Sequence, residues 1–112
     1  MALGTPENAL VFVPSELSFA QGRVTKLTLT NPSNVEHYFS APTFAAKVFT
    51  IAVEVGGAEV KGAVTEVALE PGASLVWVFV PLKPGRYPLL CPVAGHTEAG
   101  MLGALVITPA AA

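Results

Sequence analysis

The stretch Leu75-Val76-Trp77-Val78-Phe79-Val80-Pro81-Leu82-Lys83-Pro84-Gly85-Arg86-Tyr87-Pro88-Leu89-Leu90-Cys91 reads as strand, turn, strand. Leu75 to Val80 is continuously apolar and mixes β-branched with aromatic residues, the pattern of a central strand covered on both faces. Pro84-Gly85 is a turn, because proline presets one backbone torsion and glycine tolerates those that follow. From Arg86 the pattern alternates, which places Tyr87, Leu89 and Cys91 on one face of a second strand.

The same grammar extends in both directions. Toward the N-terminus, Val64 to Leu69 alternates until Pro71-Gly72, with Glu66 and Glu70 toward solvent. Val48 to Val55 is a strand that Gly56-Gly57 closes, and Ala41 to Lys47 has room for a helical turn. Val35 to Ser40 is short and aromatic. Lys26 to Thr30 buries Leu27 and Leu29 on one face and ends at the turn Asn31-Pro32-Ser33-Asn34. Ala9 to Val13 and Leu17 to Phe19 are split by Pro14-Ser15. Toward the C-terminus a loop from Pro92 to Gly100 leads into a last strand, Leu102 to Thr108. Short strands bounded by turn residues predict an all-β fold, a Greek-key sandwich or barrel of about eight strands in a single domain spanning 1–112.

Composition agrees. The chain has 112 residues, 52% of them hydrophobic and only 12% charged, enough for one core and too apolar for disorder. The six Lys and Arg form no run or stripe, so no nucleic-acid footprint is visible. No apolar stretch reaches the roughly 20 residues a membrane helix needs. Met1 to Pro6 lacks the charged and apolar regions of a signal peptide, which fits either a cytosolic protein or a mature chain restarted with methionine.

Few side chains could carry chemistry. There is no Asp for a Ser-His-Asp triad, no Gly-x-Ser-x-Gly elbow and no phosphate loop. The eight Glu are dispersed and read as a solvated face. What remains is one Cys, two His and one internal Met. Three of these four lie in Cys91-Pro92-Val93-Ala94-Gly95-His96-Thr97-Glu98-Ala99-Gly100-Met101, a Cys-x4-His-x4-Met loop between two strands. His37, the other histidine, sits in an earlier strand that a sandwich can bring alongside. Thiolate, two imidazoles and a thioether suit copper moving between Cu(I) and Cu(II), since soft sulfur favours Cu(I) and imidazole serves both states. Taken alone, Cys91 is an ordinary buried hydrophobe and Met101 an ordinary core filler. The aromatics Phe39, Phe44, Phe49, Trp77, Phe79 and Tyr87 are expected in the core, and Glu98 in solvent.

In Asn34-Val35-Glu36-His37-Tyr38-Phe39, Lys83-Pro84-Gly85-Arg86-Tyr87 and Cys91 to Met101, the chain resembles the cupredoxins, the blue-copper proteins that include plastocyanin, azurin and rusticyanin. The ligand-loop spacing looks most like rusticyanin. The resemblance implies one copper held equatorially by His37, Cys91 and His96 and axially by Met101. It implies single-electron transfer between larger redox proteins, without enzymatic turnover, and docking at an apolar patch around His96 that includes Pro92, Val93, Ala94 and Ala99. It also implies export to the periplasm or a similar compartment, with a signal peptide removed, and a monomer is the default. One departure is Tyr38, where many cupredoxins have Asn or Ser; it puts the hydrogen bonding at the sulfur, and the blue or green colour of the site, in question. Three other functions compete. One is a periplasmic copper carrier or storage protein with the same ligands; the second is a zinc site on Cys91, His37 and His96; the third is a sandwich without metal.

Overall fold

One long strand serves both layers of this molecule. The computed structural model describes all residues except 62, 63, 94, 97, 111 and 112, with the backbone alone for 57–61. Its elements are β1 (Ala2–Leu3), β2 (Phe12–Val13), β3 (Glu16–Ala20), β4 (Thr25–Thr30), β5 (His37–Ser40), α1 (Pro42–Ala45), β6 (Val48–Lys61), β7 (Glu66–Pro81), β8 (Gly85–Leu90) and β9 (Leu102–Thr108). The first part of β7 pairs with β5 (His37 opposite Leu69), whereas its second part pairs with β4 (Leu27 opposite Trp77). Between them the pairing of β7 with β6 jumps from Gly56–Ser74 to Ala58–Leu69.

Pro71-Gly72 is therefore not the strand end expected from sequence. It is a corner where β7 passes from one layer to the other, with Gly72 at φ +79°. The backbone groups freed at the corner find partners on Asn31: Gly72 N–H donates to the Asn31 carbonyl at 2.9 Å, and Asn31 N–H donates to the Ala73 carbonyl at 3.1 Å. Gly56-Gly57 likewise does not close its strand, because β6 absorbs the same corner as a register shift and continues to Lys61. The nine strands among the described residues thus arise differently from the expected set: two anticipated strands merge into β7, and the two-residue β1 is too short to leave a periodic trace.

The strand order is β2-β1-β4-β7-β5-β8-β9-β3, with β6 beside β7, a sheet folded on itself as the expected Greek-key sandwich or barrel. Leu27, Leu29, Tyr87, Leu89 and Cys91 are all buried, as the alternating patterns require. Leu75, Trp77 and Phe79 are buried too, but Val76, Val78 and Val80 on the other face of β7 are only half-buried, so this strand is not fully covered on both sides. For the same reason Phe49 is not a core residue. It sits opposite Val80 on that outer face and is 62% exposed. Phe39, Phe44, Trp77, Phe79 and Tyr87 do pack inside, where Phe44 meets Trp77 and Phe79 edge-on at 5.8 and 5.6 Å between ring centres. Such pairs contribute about 0.5–1.5 kcal/mol each beyond simple burial. Tyr87 also donates its hydroxyl to the Lys83 carbonyl at 2.6 Å, which fixes the Pro84-Gly85 turn that launches β8.

Candidate metal centre

The centre forms where β5 and β8 meet. They pair antiparallel through Ser40 and Leu90, so the chain leaving β8 runs back beside Tyr38 and His37. Cys91 follows immediately and turns its side chain inward, as the alternation of β8 predicts. Its sulfur accepts a hydrogen bond from the backbone N–H of Tyr38 at 3.3 Å. The residue after His37 therefore reaches the sulfur through its main chain. The Tyr38 side chain is half-buried and lines a shallow cavity of about 430 Å³ with Glu36, Glu66, Pro92 and Val93.

Beyond Cys91 the loop closes on itself. His96 N–H donates to the Val93 carbonyl at 3.0 Å, Met101 N–H donates to the His96 carbonyl at 3.0 Å, and Cys91 N–H donates to the Met101 carbonyl at 3.4 Å. Gly95 and Gly100, at φ +84° and +102°, supply the left-handed torsions this path needs. Cys91 and Met101 consequently meet backbone to backbone at the neck of the loop, and the His96 ring comes back to the Cys91 sulfur.

The structure brings three of the four expected donors together. The ligating atoms of His37, Cys91 and His96 all lie within 4.8 Å of one another. Cys91 Sγ is 3.5 Å from His96 Nδ1, and the two imidazole ring centres are 5.0 Å apart at 54°. Met101 is fully buried in the core cluster and tied by its backbone to Cys91 and His96. His37 and Cys91 are also fully buried, whereas His96 is partly open to solvent.

His37 carries the clearest signal. Neither of its ring nitrogens has a hydrogen-bond partner, although both are buried. Leaving a buried polar group unpaired costs about 1–3 kcal/mol, so such atoms call for another kind of partner. Burial, reinforced by the neighbouring His96, pushes the His37 imidazole below its ordinary titration range and keeps it in the neutral form that can donate to a metal. A neutral imidazole without a partner, a buried thiol and a second imidazole within a few ångströms fit copper by donor chemistry.

Sequence reasoning missed the support beneath His37. Asn31 is buried, and its amide donates to the carbonyls of Val35 and Leu69, each at 2.8 Å. Its Oδ1 accepts from Ser33 N–H at 3.0 Å and Ser33 Oγ at 2.6 Å. Since Leu69 is the register partner of His37, Asn31 anchors the approach loop to the strand that flanks the ligand. Asn31-Pro32-Ser33 reads as a plain turn in sequence, and nothing local to it signals burial. Of the expected docking patch, Pro92 and Ala99 are exposed and Val93 is half-buried; Ala94 lies outside the described residues. Glu98 is exposed, as anticipated.

The model of the sulfocyanin (SoxE) domain matches residues 26–111. The copper-resistant cuproprotein CopI of Rubrivivax gelatinosus is 26% identical over 105 residues, covering 86% of this chain; the chain spans 59% of the length of that relative. Among solved structures, dithionite-reduced auracyanin of the photosynthetic bacterium Roseiflexus castenholzii is 18% identical, with a TM-score of 0.63 over 96% of this chain and 91% of that one. Auracyanin A of Chloroflexus aurantiacus, described as a "blue" copper protein, is 17% identical, with a TM-score of 0.60 over 96% and 97%. A multicopper oxidase of Campylobacter jejuni, a metallo-oxidase, is 21% identical, with a TM-score of 0.56 over 81% of this chain and 20% of that one. The last similarity places the same fold within a much longer enzyme, so the fold alone does not separate carrier from catalyst. Copper is the metal of the cupredoxins, and His37, Cys91 and His96 stand together here as its potential ligands. With the sulfocyanin model matching most of its length and the cupredoxin fold around its clustered His, Cys and His, this chain belongs to the sulfocyanin (SoxE) branch of the cupredoxin family.

Proposed function

We propose that this protein is a mononuclear type 1 copper protein that carries single electrons between larger redox proteins. His37, Cys91 and His96 would hold the copper, Met101 would add a weaker thioether ligand, and residues 1–112 act as one copper-binding domain. The observation that carries the reading is the fully buried His37, with two unpartnered ring nitrogens, beside the Cys91 thiol and His96. When bound, copper supplies a one-electron couple. The chain supplies the rigidity that keeps the barrier to transfer low. His37 is fixed by β5, Cys91 by the end of β8 and the Tyr38 N–H, and His96 and Met101 by the closed loop. A donor set held this firmly cannot rearrange much between Cu(II) and Cu(I) preferences.

His96 is the ligand that reaches the surface, with exposed Pro92 and Ala99 beside it, which supports electron exchange through brief contacts at that face. In this reading the protein passes electrons on and turns over no bound substrate. We assign it to the periplasm or another exported compartment, as a monomer. Among the described residues, no helix is long and apolar enough to cross a membrane.

A second reading has a specific observation behind it. The similarity to CopI, described as copper-resistant, favours copper handling on the same ligands. Protein film voltammetry together with transfer of copper to a strong chelator separates the two. A reversible one-electron wave with copper retained over many cycles supports the carrier. Rapid loss of copper to the chelator, without a reversible wave, supports copper handling and refutes electron carriage.

A further inference from the structure

The matched family region begins at residue 26, yet the residues before it reach the metal centre. Gly4 is buried at φ +80° immediately after β1. A β-carbon at this position would stand 2.6 Å from Nε2 of His37, 3.0 Å from its Cδ2 and 3.2 Å from Cβ of Ser33. The first of these separations is closer than side chains tolerate, so only a residue without a side chain lets the main chain lie against the imidazole. The covering segment is also held in place. Ala2 pairs in parallel with Thr30, Gly4 N–H donates to the Val11 carbonyl at 2.8 Å, and Asn34 N–H donates to Asn8 Oδ1 at 3.0 Å. The last bond joins the N-terminal loop to the loop that leads into His37.

We propose that Gly4 is a positioning residue for His37: by lacking a side chain, it lets the N-terminal segment wall off Nε2 and holds the ring with Nδ1 as its donor to the metal. A buried ring has few ways to yield. If the wall moves inward by a methyl group, the imidazole tilts about its Cα–Cβ and Cβ–Cγ bonds, and Nδ1 moves relative to Cys91 Sγ and His96. The ligand pointing away from the surface is thus set by a segment remote in sequence from both ligand motifs. This inference rests on the reading that His37 is a copper ligand.

Gly22 provides the control, because it shares the left-handed torsion, φ +78°, and has nothing within 4 Å of where a side chain would begin. Gly22→Ala carries the backbone strain of a left-handed alanine without the contact to His37. The experiment compares wild-type protein, Gly4→Ala and Gly22→Ala by the imidazole NMR signals of the apoprotein, then by Cu(II) affinity and the thiolate-to-copper absorption band. Gly4→Ala is expected to shift the His37 ring signals, weaken Cu(II) binding by about 10- to 100-fold and alter the band, as lost outer-sphere support does. Gly22→Ala is expected to leave all three as in the wild type. Equal effects of the two alanines, or a wild-type spectrum in Gly4→Ala, overturn the proposal. If Gly4→Ala does not fold, Asn8→Gly decides, since it keeps the left-handed torsion at residue 8 and removes only the bond to Asn34. A faster copper off-rate in Asn8→Gly supports the proposal, and a wild-type off-rate overturns it. A wild-type protein with no copper band contradicts the ligand reading instead, while the apoprotein ring signals still test positioning by Gly4.

Discussion

Replacing Asn31 by alanine should be the most damaging single polar-to-alanine change outside the ligands. The substitution removes the two amide donations to Val35 and Leu69 and the two bonds accepted from Ser33. The Val35 carbonyl retains Ser33 Oγ as a donor at 3.0 Å. The Leu69 carbonyl and the Ser33 N–H lose the side-chain partners that Asn31 gave them. Two such buried groups at about 1–3 kcal/mol each give a loss of about 2–6 kcal/mol. That is a large share of the roughly 5–15 kcal/mol that holds a small domain together. In urea titration of the apoprotein it lowers the midpoint by about 1–3 M, for an m-value of about 2 kcal/mol/M. Asn31→Asp is expected to fare no better, since it keeps the acceptor, loses both donors and buries a charge. A loss below about 0.5 kcal/mol, the range of surface substitutions, would refute the argument that Asn31 anchors the loop before His37.

Three further expectations follow from the same structure. Because Tyr38 reaches Cys91 Sγ through its backbone N–H, Tyr38→Leu should leave the position of the copper–thiolate band unchanged; a move toward green would show that the side chain tunes the site. Phe49→Ser, at a 62% exposed position, should change thermal stability by only about 0.5 kcal/mol, whereas Trp77→Ala should cost about 3–5 kcal/mol; similar losses for both would contradict the burial assigned to these rings. In the apoprotein, the folded state holds His37 below its ordinary imidazole range of about 6.5, so the unfolded chain binds the extra proton first. Stability should therefore be full above about pH 6.5 and fall as pH drops from there toward the lowered folded value, and His37→Gln should flatten that fall in pH-dependent unfolding curves.

What could be read before the structure follows from how local each signal is. Period-two alternation located Leu27, Leu29, Tyr87, Leu89 and Cys91 on buried faces, because one strand suffices to express it. The Cys91–Met101 spacing likewise sits in one loop, so three of the four candidate donors could be found without any tertiary information. Long-range events left weaker traces. Pro71-Gly72 and Gly56-Gly57 look like strand ends and are instead two sides of one corner, which only the pairing of β4, β5 and β6 around β7 reveals. Phe49 has the composition of a core residue but belongs to the outer face of β6. Asn31 and Gly4 shape the surroundings of His37 through contacts between segments distant in sequence, which no residue pattern records.

The most direct test of the copper reading is Cu(II) titration of the apoprotein, followed by visible absorption and electron paramagnetic resonance, beside Cys91→Ser. An intense thiolate-to-copper band and a narrow copper hyperfine splitting at one equivalent, both absent from Cys91→Ser, are the expected result. A protein that stays colourless at one equivalent, or a spectrum that Cys91→Ser leaves intact, would contradict a copper centre built on Cys91 with His37 and His96.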